Sequence, residues 1–165
     1  MAVFAKNPLA TDIAVAPVKG EGGLYEVLPI IAYAGEDMGP CTPIILSYDG
    51  TNKRLKVMKA GGSGYTSDAV ALAQVNGWTF RDVLNGEKVT IVKRAYFGGY
   101  HDPAATPLAV MQRLWLSDAT AGVLVDVAPF TGARPVALAF PDGVIGNYPD
   151  SPSGASLIEV FTKLG

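Results

Sequence analysis

Cysteine and histidine carry much of the nucleophilic and metal chemistry of proteins, and this chain has one of each, Cys41 and His101. A cysteine nucleophile needs a base beside it, so these two form the only such pair, and their spacing matches no known motif. A tetrahedral zinc site of the usual kind needs more soft ligands than the two provide. Asp82, Asp102, Asp118, Asp126, Asp142 and Asp150 could supply a glycosidase pair or calcium ligands. No segment gathers them into a dense acidic loop, and most fall at turns, where aspartate serves the backbone. Gly61-Gly62-Ser63-Gly64 has the glycine density of a phosphate loop, yet Tyr65-Thr66-Ser67 follows in place of the Gly-Lys-Ser/Thr ending. It reads as a mobile hairpin loop. The expectation is a chain with no catalytic residue, no cofactor and no metal, with a small hydrolase built on His101 as the enzymatic alternative.

Rings are the other functional resource. Trp78, Tyr96, Phe97, Tyr100 and Trp115 could line a sugar or single-strand platform, but the latter requires cations between the rings, and only Lys93-Arg94 is near. Packing is the better use, and Trp78, Tyr96, Phe97 and Trp115 are expected at contacts between subunits. Composition agrees. Across 165 residues the net charge is -2, and charged residues make up 17%, against a usual value of roughly 25%. A pI near 5.3 offers no footprint for nucleic acid or an anionic membrane. No apolar run approaches the ~18 residues of a membrane helix. The apolar excess therefore points to interfaces with other chains, where charge is depleted. A single cysteine excludes an intrachain disulfide, and residues 1–8 lack the pattern of a secretory signal.

The elements that must position these groups read as strands. Residues 1–23 form an expected N-terminal arm, with short apolar pieces separated by Pro8 and Pro17 and a glycine-rich exit. Val3, Phe4, Ile13 and Val15 are its candidate anchors on a partner, since extended segments near prolines can add to a sheet edge. Residues 24–150 form the body. There, Asp49-Gly50 marks a hairpin, residues 55–59 alternate apolar with cationic, and residues 89–97 are the strongest strand by composition. Residues 45–73 and 115–139 share an order of strand, turn, strand, loop and strand, which suggests one meander used twice. Residues 151–165 make a C-terminal tail element, with strand character over residues 158–162. Strands at roughly 8 to 12-residue spacing predict an all-β antiparallel barrel or sandwich, because a closed or covered sheet leaves no adhesive edge.

Thr42-Pro43-Ile44-Ile45-Leu46, Arg54-Leu55-Lys56-Val57 and Ala69-Val70-Ala71-Leu72-Ala73 resemble the body of lambda-type head decoration proteins of tailed bacteriophages. Leu114-Trp115-Leu116-Ser117-Asp118-Ala119-Thr120-Ala121-Gly122, Arg134-Pro135-Val136-Ala137-Leu138-Ala139 and Asn147-Tyr148-Pro149-Asp150 are similar to a module of phage cement and head-fibre proteins. Together these runs span residues 42–150, although the chain is longer than the smallest decoration proteins. The resemblance implies a non-enzymatic protein on the capsid exterior, made in the host cytoplasm. It implies a homotrimer whose arm adds to the sheet of the major capsid protein and staples neighbouring capsomers, with no nucleic-acid or membrane partner. A head-fibre or tail-associated module that binds a receptor or glycan is the alternative.

Overall fold

The computed structural model describes residues 25–100, 111–141 and 156–162, and among them there is no α-helix. Eleven strands form: β1 (Tyr25–Val27), β2 (Ala32–Ala34), β3 (Pro43–Asp49), β4 (Arg54–Lys59), β5 (Gly77–Thr79), β6 (Lys88–Val89), β7 (Ile91–Tyr100), β8 (Gln112–Leu116), β9 (Leu124–Val125), β10 (Ala137–Pro141) and β11 (Ser156–Val160). The all-β class is as the sequence predicts. Hydrogen bonding runs in the order β6-β2-β4-β3-β5-β7-β11-β10-β8-β9, with β1 also on β7.

Two expectations are corrected. The path has two ends, so the sheet is not closed into a barrel, and β2 lies parallel to β4, so it is mixed rather than antiparallel. Each end is a strand of two residues, β6 and β9. Very short edge strands offer a neighbour little backbone to pair with, which manages the edge without closure.

The β-branched and aromatic run that predicts the strongest strand becomes β7, the longest of the eleven. Val92 pairs with both Trp78 and Val27, and Ala95 pairs with both Val160 and Tyr25. A strand residue has one neighbour on each edge, so β1 occupies one edge of β7 while β5 and β11 share the other, end to end. The sheet therefore divides there. One half runs from β5 to β6, and the other from β11 to β9.

Two cores pack the halves. Ala32, Ala34, Ile44, Val57, Val89 and Ile91 form a core on one face of the first half, with Met38 and Val83 beside them. The larger core spans both halves and holds Trp78, Phe97, Leu114, Leu116, Val136 and Ile158, all fully buried or nearly so. At the division Trp78 Nε1 donates to the Phe161 carbonyl at 3.1 Å, and Phe161 N donates to the Val136 carbonyl at 3.0 Å. The tryptophan thus fills the larger core and ties the first half to the end of β11.

A second tie lies in the glycine loop. Gly62 N donates to the Ser117 carbonyl and Gly64 N to that of Asp118, while Gly122 N returns a bond to the Ala60 carbonyl. Tyr65 Oη donates to the Leu116 carbonyl at 2.5 Å, and its ring meets Phe130 edge-on. Gly61 and Gly62 are buried with φ of +85 and +73°, and a Cβ on Gly61 would stand 2.5 Å from the Ser117 carbonyl oxygen. The loop expected to be mobile is a fixed clasp, because only glycine allows both that φ and that approach.

One other element differs in detail from the sequence reading. The strand expected to close the first meander, which ends at residue 73, is a single 3-10 turn at Ala71–Ala73, closed by Ala73 N donating to the Val70 carbonyl, and Gly61 N donates to the Leu72 carbonyl. Alanine has little strand preference to resist this. The last described element is the strand β11, which lies between β7 and β10, with Ile158 and Val160 fully buried. Trp78 and Phe97, expected at subunit contacts, have 0% exposure within their own chain and present no surface to a neighbour.

Replacing Trp78 by Phe removes the donor to the Phe161 carbonyl and leaves an unmatched acceptor at the division. The variant is expected to lose about 1–3 kcal/mol of unfolding free energy. Urea denaturation followed by circular dichroism reads this directly, and an unchanged midpoint would show that the bond contributes nothing.

Candidate interaction surface

The outer end of the first half is where side chains remain uncommitted. Asp49 begins the β3–β4 turn: its Oδ1 accepts from Thr51 N and Asn52 N, both at 3.1 Å, and its Oδ2 accepts from Asn52 Nδ2 at 2.7 Å. These bonds, the Asn52 side chain foremost, hold the carboxyl below its ordinary range. Such an Asx arrangement is why Asp-Gly makes a sharp turn here.

Register decides which side chains share a face. Lys88 pairs with Tyr33, Tyr33 with Lys56, and Lys56 with Ser47, so one row crosses β6, β2, β4 and β3. Arg54, two residues from Lys56, lies on the same face, and its guanidinium carbon sits 4.2 Å above the centre of the Tyr33 ring. Arg54 Nε is 3.9 Å from Asp49 Oδ2, beyond hydrogen-bond reach, and is a buried donor without a partner. Gly35 makes room for the row, since a Cβ there would stand 2.2 Å from Lys56 Cε. Lys59 points to the other face and is occupied by Glu36, at 3.4 Å.

The opposite face of the same hairpin is apolar. Tyr48 and Leu55 are cross-strand partners, 66% and 37% exposed, and lie beyond half-buried Leu46 at the rim of the smaller core. The hairpin end thus carries a cationic row with a tyrosine at its centre on one side and an apolar pair on the other.

The expected site residues fall elsewhere. Val3, Phe4, Ile13 and Val15 lie outside the described residues, as does His101. The first described strand, β1, lies on the edge of β7 opposite β5 and β11. Tyr96 is on β7, paired with Glu159. Trp115 is half-buried, with Nε1 donating to the Ala133 carbonyl at 3.0 Å. Cys41 is buried, and burial alone pushes its thiol well above the usual range, opposite to what a nucleophile requires. Among the described residues, no three His, Cys, Asp or Glu side chains are grouped so as to hold a metal ion. No described helix is long and apolar enough to cross a membrane.

A scan of protein-family models, a search of curated proteins and a search of solved structures each found no match. Geometry and sequence therefore carry the functional reading together.

The sequence reading anticipated the alternation in β4 but not the row. Lys88 and Tyr33 join Lys56 only through pairings between distant segments, which no local period announces.

Because the Asp49 carboxyl is lowered, its turn bonds are fully present above the unfolded value near 3.8 and are lost as pH falls through the lower folded value. The Thr51 and Asn52 amide resonances are therefore expected to titrate with a midpoint below 3.8. An NMR titration checks this, and a midpoint at or above that value would show the bonds are absent in solution.

Proposed function

We propose that this chain is a structural virion protein that binds the outside of an assembled bacteriophage capsid and stabilises it by cross-linking neighbouring capsomers. The observation that carries this reading is the β3–β4 hairpin end, where an exposed apolar pair and a cationic row remain after both cores are filled. Two of the three segments that carry the resemblance to lambda-type decoration proteins fall on β3 and β4. In this reading the body is decoration-protein-like, works without catalysis as a homotrimer, and places residues 1–23 on the sheet of the major capsid protein.

The physical logic is repetition. Contacts of modest affinity become collectively strong when many copies engage one shell, because each further engagement is intramolecular. The protein would be made in the host cytoplasm and reside on the capsid exterior.

Purified chain mixed with expanded, undecorated capsids is expected to bind stoichiometrically and raise their rupture temperature, as measured by sedimentation and scanning calorimetry. Deletion of residues 1–23 is expected to abolish attachment while leaving the circular dichroism of the β body intact. Undiminished attachment of the truncated chain would remove the arm from the mechanism, and no binding by the full chain would overturn the reading.

A further inference from the structure

We infer that the face bearing Tyr33, Arg54, Lys56 and Lys88 is a docking site for an acidic protein segment, whose apolar side chains cover Tyr48 and Leu55 around the hairpin edge. This deepens the proposed function: it rests on that reading for the partner being a shell protein, and it names the partner's chemistry.

Charge carries the argument. Three cations share this stretch of sheet, and neighbouring strands place Lys88 and Lys56 one on each side of Tyr33, roughly 5 Å per strand step. Asp49 is the single carboxylate among these paired positions, and its oxygens are taken by Thr51 and Asn52. Lys59, the other cation of β4, is already matched by Glu36. The row is therefore locally positive on a chain whose net charge is -2.

Arg54 adds geometry. Stacking on Tyr33 fixes the plane of the guanidinium, and a planar fork held in place suits two-point recognition of a carboxylate. Its buried Nε faces Asp49 at 3.9 Å, so a carboxylate from outside would meet the terminal nitrogens of the fork.

The apolar pair selects the class of partner. Nucleic acid would answer the cations, but an acidic protein segment with aliphatic side chains answers both faces of one hairpin. The overall acidity of the chain also removes the long-range attraction expected of a nucleic-acid binder.

The test uses the full chain, a short soluble peptide rich in glutamate with flanking leucines, its glutamine counterpart, and a deoxythymidine oligonucleotide. The glutamate peptide is expected to shift amide resonances on β2, β4 and β6, and the glutamine peptide to leave them in place. The double variant Lys56→Glu with Lys88→Glu, checked for folding by circular dichroism, is expected to bind the glutamate peptide and expanded capsids about tenfold or more weakly. A single reversal away from the row, Arg113→Glu at the exposed position of β8, is expected to change neither. Wild-type chain that ignores the glutamate peptide, or that prefers the oligonucleotide, would overturn the inference. Capsid binding by wild type and double variant alike would overturn it while leaving the shell-binding reading intact. Peptide binding without capsid binding would uphold the acidic-segment site and reject the shell reading.

Discussion

The architecture depends on how one strand serves two half-sheets. β7 gives a single edge to β5 and then to β11, so the hydrogen-bond ladder is interrupted where one partner ends and the next begins. Trp78 stands at that interruption with its ring in the larger core and its N–H on the Phe161 carbonyl. Apolar filling and polar satisfaction are met by one side chain, which is what a buried indole does well. It adds a direct bond between β5 and the end of β11 to the links already made through β7, the glycine clasp and the shared core.

That arrangement also explains where the exposed apolar pair ended up. The larger core draws on both halves and consumes most of the large apolar side chains, including two of the rings expected at subunit contacts. The smaller core is filled chiefly by small and β-branched residues of the first half. It runs out before the β3–β4 hairpin does, so Tyr48 and Leu55 continue its stripe into solvent. Low charge overall and a concentrated cationic row at one place are compatible because β6, β2 and β4 bring together residues far apart in the chain.

Much of the fold was legible in the sequence. Alternation and β-branched runs announced β3, β4 and β7, and Asp49-Gly50 announced the turn between the first two. Locally determined features could be read because their causes are local. The open ends, the parallel β2–β4 pair and the interior position of β11 could not, because each is decided by which distant strand wins an edge. The candidate surface was half visible for the same reason: Lys56 lay in a recognisable pattern, whereas Tyr33 and Lys88 joined it only through tertiary pairing. The glycine loop misled, since the same residues that permit motion also permit close contact, and here Ser117 and Ala121 take up the space.

The reciprocal bonding between residues 60–64 and 117–122 bears on how the body would respond to traction. A pull that parts the two halves loads this clasp, the Trp78 bond and the β5–β7 pairs side by side rather than one after another. Load shared in parallel must break several bonds in a single event, and forced rupture is governed by the height of that one barrier. Parting the halves therefore requires these contacts to break together rather than in succession.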